Sequence, residues 1–241
     1  MCHRNSLAAL PTPGNHSVKR DSGLKYWQYG AGSNQRLAII TDIYGCNEFY
    51  QSFATHFAQQ GWTVDLIDLF SDLGELPEIT REAAFERRHK LSDAEICNKL
   101  EAFIDEQSID AVIGFCLGGN YVFEMSRRNV DVRLVAYYPF PAGLVNQDVI
   151  PTPLEYLDAV TQPVTALVGD CDDSAGRDSM AGLAEISIGN PALDVKVYAG
   201  SGHGFLAHLD SEDEVLRSNA EQSLAACTQA IATGETSHDY E

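Results

Sequence analysis

Cys116 lies in Gly114-Phe-Cys-Leu-Gly118-Gly119, a cysteine flanked by glycines where an apolar run gives way to a helical pattern. That spacing suits a strand that turns sharply into a helix and presents one side chain outward, because glycines let the neighbouring segments approach. At a helix N-terminus the dipole and the free N–H groups favour a thiolate and a developing oxyanion. His203 lies in Gly200-Ser-Gly-His-Gly-Phe205, a glycine-rich loop from which an imidazole can reach a thiol and act as general base. The stretch Gly169-Asp-Cys-Asp-Asp173 offers three carboxylates, Asp170, Asp172 and Asp173, any of which could orient the imidazole and stabilise its charged form. Taken singly, these features also fit a buried cysteine, a surface histidine and solvated loop acids. Together, and in this order, they point to nucleophilic acyl transfer.

Such groups need a scaffold that holds distant loops at one edge. Strand-like and helix-like stretches alternate along the chain. The patterns predict strands at 25–29, 37–41, 64–70, 110–115, 134–138, 164–168 and 195–198. Helices are expected at 48–60, around 80–90, at 93–107, 117–129, near 174–187 and at 212–232. Runs such as Leu37-Ala-Ile-Ile40 are apolar at consecutive positions, as in a parallel strand buried on both faces. Repeated strand-then-helix order implies an α/β protein with a mostly parallel central sheet and helices on both faces. In such sheets ligands bind beyond the carboxyl ends of the strands, which is where the three loops fall. The expected organisation is an irregular arm over 1–24, a single domain over 25–232 and a flexible tail over 233–241.

The 241 residues suit one large domain, which buries enough apolar surface to need no disulfide or metal. A formal net charge of −19 repels phosphate backbones and anionic lipid, which argues against nucleic-acid and membrane-surface partners. No apolar run approaches the ~20 residues of a membrane span. The first twenty residues show no apolar leader, and the six cysteines lack CxxC pairs, so a reducing cytoplasm is the expected compartment. No histidine–carboxylate cluster has metal-ligand spacing and no phosphate-binding glycine loop is visible, so neither metal nor cofactor is expected. The one dense basic stretch is Arg81-Glu-Ala-Ala-Phe-Glu-Arg87-Arg88-His-Lys90. Cys46 and Cys171, in loops expected to border the same pocket, read as small apolar filler, with a redox role as the alternative.

The sequence resembles the dienelactone hydrolase (carboxymethylenebutenolidase) family from about Leu37 to the final helix. The residues carrying the resemblance are Asp42-Ile-Tyr-Gly45, Gly114-Phe-Cys-Leu-Gly-Gly119, Tyr137-Tyr138, Asp172 and Gly202-His-Gly-Phe205. The resemblance implies an α/β-hydrolase fold without a large cap domain, and the order Cys, Asp, His is that fold's nucleophile–acid–base order. It assigns Cys116 as nucleophile, Asp172 as orienting acid and His203 as base, with the Leu117 and Ile43 amides as the oxyanion hole. Each well-placed oxyanion donor is worth about 3–4 kcal/mol. Asp42 stands where the family carries an acid that interacts with the resting thiol. Arg81 matches the family arginine that grips a substrate carboxylate, and Tyr137 and Phe205 are further candidates for substrate contact. Gly204 and Ala207 replace a serine and an arginine that family members use to hold that carboxylate.

The implied reaction opens a small, carboxylated enol-type lactone or ester through a thioester acyl-enzyme. A thiolate leaves a tetrahedral intermediate readily, so it suits enol lactones better than amides. Rival readings are a small-molecule carboxylesterase or thioesterase without an anion requirement, and a non-catalytic binding relative. All three triad positions are chemically competent, which disfavours the last.

Overall fold

The apolar runs become the centre of one eight-stranded sheet. The computed structural model describes residues 5, 7–30, 32–148 and 150–232. Its strands are β1 His16–Asp21, β2 Leu24–Tyr29, β3 Arg36–Ile40, β4 Thr63–Asp68, β5 Ala111–Phe115, β6 Arg133–Tyr137, β7 Val164–Gly169 and β8 Leu193–Tyr198. They lie in the order β1-β2-β4-β3-β5-β6-β7-β8. Strand β2 pairs antiparallel with β1 and with β4, and every pairing from β4 to β8 is parallel. The helices are α1 Glu48–Gln59, α2 Arg81–Arg88, α3 Asp93–Glu106, α4 Leu117–Arg127, α5 Arg177–Gly189 and α6 Glu214–Ile231. Their starts are set by side chains that accept from free amides: Asn47, Thr80, Ser92 and Asp213 cap α1, α2, α3 and α6.

Alternation along the strands sorts the core into two layers. Leu37, Ile39, Ile113, Phe115, Val135 and Tyr137 pack with Phe49, Phe53 and Phe57 of α1 and with Ala220, Cys227 and Ile231 of α6. The intervening Ala38, Ile40, Val112, Leu134 and Ala136 face Leu100 and Phe103 of α3, Tyr121 and Val122 of α4 and Leu183 of α5. Both faces of the central strands are therefore dry, which explains their unbroken apolar runs. The expected arm over 1–24 is not irregular throughout, because residues 16–21 form β1. That strand is largely exposed and shows no apolar alternation, so only its ladder with β2 defines it. The expected tail over 233–241 lies outside the described residues.

The strand-to-helix turn after β5 depends on two glycines. A Cβ on Gly114 would lie 2.1 Å from the Gly118 carbonyl oxygen, and one on Gly118 would lie 2.4 Å from the Ile40 oxygen. Both obstacles are backbone atoms that cannot rotate away. Gly118→Ala is expected to destabilise the fold by about 3 kcal/mol, the upper part of the usual range for overpacking. Urea unfolding measures it, and a midpoint equal to wild type would refute the close approach of α4 to β3.

Candidate active site

Four loops meet at the carboxyl edge of the sheet. Cys116 follows β5 at φ 55°, ψ −110°, immediately before α4 begins at Leu117. A non-glycine residue with positive φ costs on the order of 1–3 kcal/mol and persists only where its surroundings enforce it. Here the Cys116 amide donates to the Tyr137 carbonyl at 2.9 Å, and the Asn120 amide donates back to the Cys116 carbonyl at 3.3 Å. The side chain is nearly enclosed, at 3% exposure. Leu117, as the first residue of α4, has an amide without a carbonyl partner in its own helix.

The three acids after β7 separate by environment. Asp172 is fully buried, and its Oδ2 lies 2.7 Å from His203 Nδ1. Its Oδ1 accepts from the Ser174 and Ala175 amides, both at 3.0 Å. Asp170 accepts instead from the Gly200 amide at 2.7 Å, and Asp173 forms an exposed pair with Arg177 at 3.0 Å. Asp172 alone of the three engages the imidazole. The histidine loop is pressed against β7, since a Cβ on Gly169 would lie 2.1 Å from the Ser201 oxygen. Asn219 of α6 anchors the loop from the other side, donating to the Ala199 carbonyl at 2.8 Å and to Ser201 Oγ at 2.9 Å. The His203 ring packs 5.2 Å from Tyr138 and 5.0 Å from Phe140, both in the segment after β6.

Asp42 and Ile43 follow β3. Asp42 is fully buried, and its Oδ1 accepts from the Tyr44 amide at 2.8 Å while its carbonyl accepts from the Gly45 amide at 3.2 Å. Its carboxylate thus orders the loop that carries Ile43. Arg87 of α2 braces the same loop, donating to the Ile43 carbonyl at 3.1 Å and the Gly74 carbonyl at 3.3 Å over the face of Phe70. The sequence marked Arg87 only as part of a basic run.

Three expected substrate contacts are placed differently by the structure. Tyr137 is fully buried, stacks on Phe115 and donates its hydroxyl to the Ser223 carbonyl of α6 at 3.0 Å. Its position at the end of β6 turns it into the α1/α6 layer, and it is Tyr138 that faces His203. Phe205 is also fully enclosed, against Tyr137, Tyr138 and Tyr198. Arg81 is exposed at the start of α2, with its guanidinium 5.4 Å from the Phe85 ring. Cys171 is exposed, which removes the filler account for it, whereas Cys46 is half-buried against the Ile67 carbonyl. Among the described residues no cluster of three or more His, Cys, Asp or Glu could hold a metal, and no helix is long and apolar enough to cross a membrane.

Residues 29–233 match the sequence profile of the dienelactone hydrolase family. The chain belongs to that family. Carboxymethylenebutenolidase 2 of Cupriavidus pinatubonensis is 42% identical over 235 residues, which cover 97% of this chain and all of that protein. The carboxymethylenebutenolidase of Rhodococcus opacus is 32% identical over 222 residues, 87% of each chain. A crystal structure of a candidate dienelactone hydrolase from Klebsiella pneumoniae superposes with a TM-score of 0.70 at 18% identity, covering 86% of this chain and 93% of that one. The fold is the α/β-hydrolase fold, and this dienelactone hydrolase family member is a hydrolase acting on esters.

Proposed function

We propose that the enzyme opens a small lactone by acyl transfer to Cys116, and that the substrate is a carboxylated enol-type lactone like those implied by its relatives' names. The buried His203–Asp172 pair, held at 2.7 Å at the same carboxyl edge of the sheet as the strained Cys116 turn, carries this reading. With Nδ1 held by the carboxylate, Nε2 is the nitrogen that exchanges a proton with the thiol. The Cys116 sulfur attacks the lactone carbonyl, and the carbonyl electron pair moves onto oxygen, where the Leu117 and Ile43 amides receive it. Collapse re-forms the carbonyl and breaks the ring C–O bond, and the leaving enolate, still attached to the acyl group, takes the proton that His203 received from the thiol. Water then gives a proton to His203 as its oxygen attacks the thioester, and Cys116 leaves as thiolate. Asp172 holds the imidazole and stabilises its charged form. Asp42 orders the loop that carries the Ile43 amide, through the Tyr44 and Gly45 amides it accepts from.

Enol leaving groups suit this apparatus because they depart about as readily as a thiolate. Amides do not, so peptidase activity is not expected. The direct test is an intact-mass measurement on enzyme quenched during turnover of a lactone or an aryl ester. A covalent acyl mass on the peptide containing Cys116, removed by hydroxylamine, is the expected result. Steady turnover with no such adduct, even with slowly hydrolysed esters, would sink the thioester route.

A further inference from the structure

The sheet ends in two edges of different character. Strand β1 closes one, and five of its six residues are exposed, with Lys19 and Arg20 adjacent. Charged side chains on an edge strand discourage a further strand from pairing with it. Strand β8 closes the other edge and pairs, among the described residues, only with β7. It contains no proline, and its register with β7 is unbroken from Leu193 to Tyr198. The Val164 amide donates to the Ala192 carbonyl and the Asp170 amide to the Tyr198 carbonyl, so the even-numbered residues of β8 face β7. By alternation Leu193, Val195 and Val197 turn their main-chain groups outward. The Leu193 amide bends back to the Asn190 carbonyl at 3.0 Å, which leaves the Val195 and Val197 amides pointing past the edge.

Exposed apolar surface gathers at the same edge. Val197 is 53% exposed, and Ile188, near the end of α5, is 88% exposed. Helix α5 packs on β8 and on the turn Pro153–Glu155, which also contacts α4. Gly182 is the α5 residue that meets this turn, where an added Cβ would lie 3.5 Å from Leu154. Ile188 comes six residues later, about 240° round the helix, on the flank turned toward the open edge. Helix α5 and β8 together carry Arg177, Lys196, Asp178, Glu185 and Asp194, so this face is nearly neutral on a chain of net charge −19. Nearly neutral ground is where a second copy meets least repulsion.

We propose that two copies of this chain join edge to edge through β8, antiparallel about a two-fold axis at Val195, so that their sheets become continuous. The charge pattern selects that register. With Val195 opposite itself, Asp194 faces Lys196 of the second copy, and Lys196 faces Asp194 of the second copy. These are the non-hydrogen-bonded pairs, where side chains come closest and opposite charges attract. Moving the axis one residue either way puts Asp194 or Lys196 opposite itself, which repels. In the selected register each Val195 amide donates to the Val195 carbonyl across the seam, and each Val197 amide to the Leu193 carbonyl. Val197 is thereby covered. A surface that complements itself in this way suits a two-fold dimer rather than a foreign strand. Because the joined strands run antiparallel, the two carboxyl edges face opposite ways, and both Cys116 turns stay open.

Sedimentation velocity of wild type should show a two-chain species at concentrations up to about 100 μM, above the micromolar dissociation constant of a modest interface. Asp194→Lys and Lys196→Asp each set like charges opposite one another and should each weaken the dimer about 30-fold or more. Mixing the two variants restores opposite charges across the seam, so a heterodimer should form with near wild-type affinity. That rescue cannot come from the Asp194–Lys196 pair within one chain, 3.1 Å apart, because neither variant regains it. Val197→Glu, at an exposed position, is a second disruption that should also give monomers, with circular dichroism to confirm folding. Hydrogen exchange at the Val195 and Val197 amides should slow as the dimer forms, and ester turnover should be unchanged in every variant. Wild type that stays monomeric would overturn the proposal and leave the edge to a strand of another protein. A dimer that survives these substitutions, or two charge variants that stay apart when mixed, would overturn it as well.

Discussion

Cys116→Ala is expected to lower kcat/KM for every lactone and ester by at least about 10^4-fold, as removal of a nucleophile does elsewhere. The fold should hardly notice. Alanine at φ 55° carries the same Cβ as cysteine, so the strain at this turn is unchanged, and the Gly114 and Gly118 approaches that enforce it remain. The loss is one enclosed sulfur, worth about 1 kcal/mol of packing and transfer energy. Activity and unfolding midpoint should therefore separate cleanly. Residual turnover above a few per cent of wild type, in protein freed of trace wild-type contamination, would mean that Cys116 is not the nucleophile.

Asp172→Asn is expected to cost about 10^3–10^4-fold in kcat with the structure intact, the size of effect seen when an imidazole is held in the wrong tautomer. The reason lies in the two ends of the carboxylate. Oδ1 accepts from the Ser174 and Ala175 amides, so asparagine must place its carbonyl oxygen there to keep both bonds. Its NH2 group then faces His203 Nδ1, where the carboxylate Oδ2 stands now. Nδ1 must become an acceptor, the ring proton moves to Nε2, and the imidazole can no longer take the thiol's proton. Asp170→Asn and Asp173→Asn, on exposed acids that do not touch the ring, should each change kcat less than about threefold. Nitrogen NMR of the histidine ring reads the tautomer directly. A wild-type tautomer in Asp172→Asn, or a loss confined to KM, would refute this account.

How much of this was legible beforehand depended on the kind of signal. The central strands and the described helices α1 to α6 announced themselves through the alternation of apolar strand-like and helix-like stretches. Leu37–Ile40 and Ala111–Phe115 are buried on both faces and have no polar alternative. Strand β1 carried no such signal, because His16–Asp21 is almost wholly exposed and becomes a strand only by pairing with β2. Tyr137 and Phe205 show a different limit. A motif locates a residue near the end of a strand, but the side chain's face follows from the pleat. There, adjacent residues point to opposite layers, so Tyr138 reaches His203 and Tyr137 reaches α6.

What the sequence determined by itself was the chemistry available and its order along the chain: a cysteine between glycines, an acidic loop, and a histidine loop, each after an apolar strand. Those are local features, set by residue type and by the backbone freedom that glycine allows. The tertiary structure decided which of three acids meets the imidazole, and which arginines of one basic helix are enclosed. Asp172 is buried against His203 while its neighbours are solvated, and Arg88 is enclosed against Asp93 while Arg81 is exposed. Burial and partner choice arise from segments distant in sequence packing together, so no spacing within either segment could specify them.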